Sequence, residues 1–384
     1  MGVCQRGYTE GILGSSYSIS LGIAMFVFAS TMSARFRRLR AITIPEVVGR
    51  LFDAKTRLTS AVVIGIAYFF IGITQIIAGG VLLSSILGIE KWIADLIAAL
   101  IFVIIIITGG LRSIAIVNIV QIFVIFTGML VTLGFSLALI GGSITTGFSR
   151  LVNELPPNYW SLGARNPLTL SGEVLGTVFT CFAAQAAITG IFAAKDQKIA
   201  VQGSWIVGLL LMPIGIAFTL IGMCAKIHFG TALPYGLSAA PAMMLALNPF
   251  VAGIALCGLF AAIISTGPLN FLAPIQILVR DIYLVYINPE ASDKKLLIVS
   301  RTLAIALLFA GWIVAVTFHQ ILQLTFWAFA FRAGIAIILL SVTYLGSRYV
   351  SEDGAFWGLI TGVVAFTAWT LAGSPYGLHV AIPT

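Results

Sequence analysis

An all-helical polytopic membrane protein is what this sequence predicts, and three observations carry the prediction. The chain of 384 residues is 60% hydrophobic and only 9% charged, whereas a soluble domain carries roughly 25% charged residues. Ten apolar runs of roughly 17 to 25 residues or more, long enough to cross a bilayer as helices, follow one another along it. Its Lys and Arg are divided unevenly between alternate loops. Of the 21, 15 fall on one side, 5 on the other (Arg6, Lys91, Arg150, Arg165, Lys226), and Arg332 lies inside a span.

The expected spans are 11–33, 59–85, 92–108, 115–141, 172–194, 203–226, 248–283, 296–318, 320–345 and 355–372. They make one transmembrane domain over 1–384, with short loops that force antiparallel neighbours. By the positive-inside rule the lysine- and arginine-rich side is cytoplasmic, so both termini are expected outside a cell membrane. The densest cluster, Arg35, Arg37, Arg38, Arg40, Arg50, Lys55 and Arg57, follows the first span. The net charge of +8 therefore reads as topology and contact with an anionic lipid bilayer, with no nucleic-acid partner expected. MGVCQRGYTEG lacks the apolar core of a signal peptide.

The loop at 142–171 is either a lid over a pathway or a passive connector. Cys4, Cys181, Cys224 and Cys257 show no metal or disulfide spacing, and the three inside spans read as packing residues. There is no GxSxG, HExxH, Walker A or CxxC, and His228, His319 and His379 fall at span ends or in loops, so no enzyme is expected. No feature marks an obligate protein partner.

Function should then reside in the polar groups held within the spans. Residues 258–283, GLFAAIISTGPLNFLAPIQILVRDIY, stand out. Proline lacks an N–H, so Pro268 deprives the Ile264 carbonyl of its helical partner and Pro274 that of Asn270. The helix is expected to break there. Ala262, Ser265 and Thr266 recur at i, i+3 and i+4, which gathers two hydroxyls and the Ala262 carbonyl on one face. Such an oxygen set suits a hard cation.

Gln75 and Gln185 each either line a solute cavity or bond across a helix interface. Asn118 and Gln121, at the start of the fourth span, either line an exit path or bond to backbone and headgroups at the helix end. Arg332 sits about midway along its span, where a guanidinium costs at least roughly 2.5 to 3.5 kcal/mol. It either meets an anionic group of the solute or clamps carbonyls structurally. No carboxylate is expected mid-span, and Asp95, Glu10 and Glu173 read as solvated interfacial groups.

Four stretches resemble the sodium:solute symporter family. AITIPEVVGRLF (41–52) is similar to its Pro-Glu-Phe-x-Gly-Arg-Arg-Phe loop, and TGGLRSIAIVNIVQ (108–121) to its Gly-Gly-Leu-x-x-Val-x-x-Thr-Asp-x-x-Gln stretch. QAAITGIFAAKD (185–196) resembles its Asn-Gln-x-x-x-Gln-Arg-x-x-Ala-Ala-Lys segment, and FAAIISTGPLNFLAPIQILVRDIY its Ala-Ala-x-x-Ser-Ser/Thr helix ending in Arg-Asp-x-Tyr. The resemblance implies a five-plus-five bundle of inverted repeats, with ion and solute held near the midplane. It implies Na+ as coupling ion at Ala262, Ser265 and Thr266, and import of a small polar or carboxylate-bearing solute by alternating access. Asn118 stands where the family has Asp, Ala184 where it has Asn, and Thr189 and Gly190 where it has Gln-Arg.

CQRGYTEGILGSSYSISLGIAMF resembles the stretch after the family's first core helix. The ten spans are thus expected to match helices two to eleven, in an amino-terminally incomplete chain whose sodium site lacks its other half. A non-transporting sensor or scaffold, or an inactive fragment, is the second functional reading.

Overall fold

The structure, a computed structural model, describes residues 1–372 apart from 40, 165, 235–236, 319–320 and 346–348, and no side chain in 109–117, 164 or 345. Arg40, Arg165, His319, His379 and the side chains of GGLRSIAIV thus lie outside the described residues.

Ten segments have the length and hydropathy to cross a membrane. The first begins earlier than the sequence suggested. Helix α1 (Gly2–Glu10) leads through a tight 3-10 segment at Gly11–Ser15 into α2 (Ser16–Thr31). The basic loop then folds into two short helices, α3 (Ser33–Leu39) and α4 (Ile44–Leu51). The motif at 41–52 has a local explanation. Thr43 caps α4 by accepting from the Glu46 N–H at 3.2 Å, Glu46 reaches back to the Ile42 N–H at 2.9 Å, and Pro45 sits in the first turn, where no N–H is needed.

Helix α5 (Ala54–Leu87) starts on Asp53, whose carboxylate accepts from the Thr56 N–H at 2.8 Å, and ends at Gly88, whose φ of 66° favours glycine. The hydrogen bonds from Thr56 hold the Asp53 carboxyl below the usual carboxylate range. A lowered folded-state pKa stabilises above the unfolded value of about 3.9 and ceases to do so as pH falls through the folded one. Asp53→Ala is expected to cost about 1 kcal/mol near neutral pH, a deficit that shrinks on acidification. Thermal unfolding in detergent as a function of pH measures it, and a pH-independent deficit would contradict the assignment.

The expected spans 92–108 and 115–141 belong to one helical element, α6 (Lys91–Gly141). Its two arms are not collinear. Gly267 packs against the ring of Phe102, while Gly258 and Gly128 touch backbone to backbone. Gly258 and Gly267 are roughly 14 Å apart along their helix, whereas Phe102 and Gly128 would lie roughly 39 Å apart on a straight one. Both arms therefore fold against α12 (Pro249–Ile277). In the 142–171 loop, α7 (Ile144–Glu154) buries Leu151, and Tyr159 donates its hydroxyl to the Tyr8 carbonyl at 3.0 Å. That loop is docked on the bundle.

Next come α8 (Pro167–Cys181) and α9 (Gln185–Ala193), separated by a non-helical step at 182–184. They are followed by α10 (Gln197–Phe229), α11 (Ala239–Leu245) and α12. The remaining helices are α13 (Asp293–Thr317), α14 (Ile321–Leu345) and α15 (Glu352–Leu371).

The helix expected to break at Ser265–Pro268 does not. Helix α12 runs as regular α-helix through both prolines and widens into π-helical turns only at Leu278–Ile287. A proline removes one hydrogen bond, and the rest of the helical ladder together with packing against α5 and α6 keeps the helix continuous. Charged groups near span ends are also more deeply buried than their positions suggested. Asp95 is sealed beside Lys91 at 2.6 Å, and Glu173 is buried against Arg6 at 2.9 Å. Sequence position gives distance from the span end, whereas burial depends on which neighbour covers it.

Candidate cation site and the polar groups around it

Helix α12 has two dissimilar faces. Ile263 and Phe271 meet Gly79 and Gly72 of α5, and Gly267 meets Phe102. With Asn270 and Pro274 they form a buried stripe. Ala262, Ser265, Thr266 and Leu269 lie on the other side, from half-buried to exposed at Thr266. Three oxygens converge there. The Ala262 carbonyl accepts from Ser265 Oγ at 2.9 Å and from Thr266 Oγ1 at 2.8 Å, and the two hydroxyl oxygens are 3.3 Å apart. Hydroxyls that return to an i−3 or i−4 carbonyl occupy each other locally in the absence of a ligand. A cation reaching this face would find three oxygen lone-pair carriers once both hydroxyls rotate.

The second arm of α6 runs past the same face. Gly258 sits between Val124 and Gly128, and Gly128 approaches the Ile254 carbonyl, an antiparallel register. Following both helices toward the basic end, Asn118 lies six residues from Val124, roughly 9 Å, which brings it level with residues 264–265. Gln121 is one turn nearer, on the stripe that faces α12. The Asn118 Oδ1 and Gln121 Oε1 atoms are buried and have no hydrogen-bond partner among the described residues. Two unpartnered acceptors on the stripe of α6 that faces α12, level with two hydroxyls and a carbonyl, are oxygens of the kind a cation takes.

The other polar residues separate from this cluster. Gln75 is half-buried on the α5 stripe between Gly72 and Gly79, across α12 from Ser265. Gln185 is fully buried, and both ends of its amide are engaged: Oε1 accepts from the Ile44 N–H at 2.7 Å, while Nε2 donates to the Ile42 carbonyl at 3.1 Å and to Thr189 Oγ1 at 3.2 Å. It ties α9 to the start of α4. Arg332 is buried beside Tyr68 and Phe329, with each ring centroid 5.0 Å from its guanidinium carbon.

Three features escaped the sequence reading. The step at 182–184 contains no Gly or Pro, and just beyond it the Tyr68 hydroxyl accepts from the Ala186 N–H at 2.9 Å. Arg6 and Glu173 join α1 to α8. Asp281, in the π-helical turns, pairs with Arg57 of α5 at 2.6 Å. Only the Arg-Asp-x-Tyr motif signalled the last.

A model of the sodium:solute symporter family matches residues 1–362. The chain is 26% identical over 400 residues to the sodium/glucose cotransporter of Vibrio parahaemolyticus, covering 97% of this chain and 73% of that protein. It is 24% identical over 406 residues to the high-affinity proline transporter PutP of Bacillus subtilis (strain 168), covering 100% and 83%. The solved structure of a Na+-coupled sialic acid symporter, in its substrate-bound outward-open state, aligns with a TM-score of 0.77 at 18% identity, covering 99% of this chain and 81% of that one. Likeness at that identity shows a shared fold.

Proposed function

The chain belongs to the sodium:solute symporter family, and from that premise we propose that it couples inward sodium flow to import of a small polar solute by alternating access. The observation that carries this reading is the convergence of the Ala262 carbonyl, Ser265 Oγ and Thr266 Oγ1 on one face of α12, supported by the unpartnered amide oxygens of Asn118 and Gln121 on the second arm of α6 that packs along α12. All are neutral oxygens. Neutral oxygens suit Na+, whereas a proton as coupling ion needs a titratable group.

Bound sodium would bridge α12 and the second arm of α6 and favour the state in which those two elements approach. Release toward the basic end would then free the solute. Such coupling requires that ion and solute each bind one state better than the other. The lysine and arginine asymmetry supports an orientation with the basic end in the cytoplasm and both termini outside.

The test uses the full chain in proteoliposomes adsorbed on a solid-supported membrane, with a panel of sugars, amino acids and small acids. A solute-dependent inward current that needs sodium, and that potassium does not replace, is the expected result. Absence of sodium-dependent current for every solute, together with absence of a sodium-induced change in tryptophan fluorescence, rejects the symport reading in favour of a non-transporting role.

A further inference from the structure

Five charged side chains are buried among the described residues: Arg6, Asp95, Glu173, Asp281 and Arg332. Four of them sit in ion pairs, Arg6 with Glu173, Asp95 with Lys91 and Asp281 with Arg57. Arg332 has no such partner, although all 13 Asp and Glu of the chain lie among the described residues. Burying an ion carries a penalty of several kcal/mol, which an opposite charge ordinarily offsets.

What the protein offers Arg332 is neutral. Its Nε donates to the Ala328 carbonyl at 3.3 Å and its Nη1 to the Tyr68 hydroxyl at 3.1 Å. The rings of Tyr68 and Phe329 lie beside the guanidinium. A guanidinium carries five N–H donors in one plane. The donors of Nη2 have no acceptor among the described residues, while the side chain is only 3% exposed.

The hydroxyls nearby have the same deficit. Tyr68 accepts from both Arg332 Nη1 and the Ala186 N–H, which uses both of its lone pairs and leaves its own proton without an acceptor. Tyr17 stacks on Phe329 at 6.0 Å, and its hydroxyl makes no hydrogen bond among the described residues. Arg332 Nη2 and the Tyr68 proton are donors left unfilled, and the Tyr17 hydroxyl can add a third. The first turn of α9, which Tyr68 caps at Ala186, adds the positive end of a helix. An acceptor-only anion fits this environment.

We propose that Arg332, Tyr68 and Tyr17 form a docking site for the carboxylate of a small monoanionic solute, with Arg332 Nη2 and the Tyr68 hydroxyl donating to its oxygens. The inference rests on the symport reading for its purpose but not for its binding chemistry. Aromatic rings wall the site, and no carboxylate stands by to receive an ammonium group. A monocarboxylate is therefore preferred over a zwitterionic amino acid.

The full chain in detergent, followed by thermal unfolding through tryptophan fluorescence, tests the site with acetate, propionate and benzoate against the corresponding amides and against glycine and proline. Each is measured in sodium and in choline. The acids are expected to stabilise the wild-type protein where the amides do not. Arg332→Gln should weaken acid binding at least tenfold. Arg332→Lys should give an intermediate loss, since lysine keeps the charge but not the planar fork. Tyr68→Phe should weaken binding severalfold, and these two milder variants carry the test if Arg332→Gln does not fold.

Equal stabilisation by amides, no stabilisation by any acid, or a full acid response in the Arg332 and Tyr68 variants would overturn the proposal. Glycine or proline matching propionate would overturn the monoanion preference. Loss of the sodium response with an intact acid response would reject the coupling reading and leave this site standing.

Discussion

Ser265→Ala combined with Thr266→Ala is expected to abolish the response to sodium over concentrations that saturate the wild-type protein. Each hydroxyl supplies one of the oxygens gathered at the Ala262 carbonyl. Losing a ligand at a cost of about 1.4 kcal/mol weakens binding tenfold, so two such losses amount to roughly a hundredfold. Stability should change little. The hydroxyls bond within their own helix, and the net worth of such a bond is about 1 kcal/mol or less.

The conservative exchanges Ser265→Thr and Thr266→Ser keep an oxygen in place and should retain most of the sodium affinity. Asn118→Asp would place a negative charge beside the same face and should tighten sodium binding, whereas Asn118→Leu should weaken it. Sodium titrations of tryptophan fluorescence read all five variants. An unchanged sodium midpoint in the double alanine variant would remove α12 from the ion site. An Asn118→Asp effect of opposite sign would separate the second arm of α6 from it.

The second large effect is expected at the basic end, where Arg57 and Asp281 join α5 to the π-helical turns after α12. Asp281 Oδ1 accepts from Arg57 Nε at 3.1 Å and from Nη2 at 2.6 Å. The carboxylate side chain is fully buried, while that of Arg57 is 24% exposed. The two deletions should therefore be unequal. Arg57→Ala strands a buried carboxylate and is expected to cost about 3 to 5 kcal/mol. Asp281→Ala leaves a guanidinium that can turn toward water or a headgroup, and it should cost less. Removing both should restore part of the loss caused by Arg57→Ala alone, because the stranded charge is gone. Apparent unfolding temperatures in one detergent give the three values. Equal losses in the single variants, or simple additivity in the double, would show that the pair contributes no such coupling.

How much of this was legible in the sequence follows from the range of each interaction. Span positions were readable because the bilayer imposes a length on every apolar run. Ser265 and Thr266 could be grouped with Ala262 because i, i+3 and i+4 are neighbours on any helix, and both hydroxyls donate to the Ala262 carbonyl. The same local logic failed at Pro268. The missing N–H was read as a break, yet α12 continues as α-helix through Pro268, packed against α5 and α6.

The step at 182–184 had the opposite history. Nothing in Phe182, Ala183 or Ala184 forbids a helix, and the N–H of Ala186 just beyond the interruption is taken up by the hydroxyl of Tyr68, more than a hundred residues earlier in the chain. Arg332 was conspicuous as a charge in an apolar run, but its lack of any carboxylate partner is a property of the assembled bundle.

Sequence alone thus determined that this protein is a multi-pass helical bundle, which end of it is basic, and which short-range oxygen cluster it carries. Periodicity and hydrophobic length act over a few turns and do not depend on the rest of the fold. Tertiary structure decided which helix is interrupted, which buried charges are paired, and which polar groups face each other across helices. Those outcomes depend on contacts between residues far apart in the chain, and no local pattern records them.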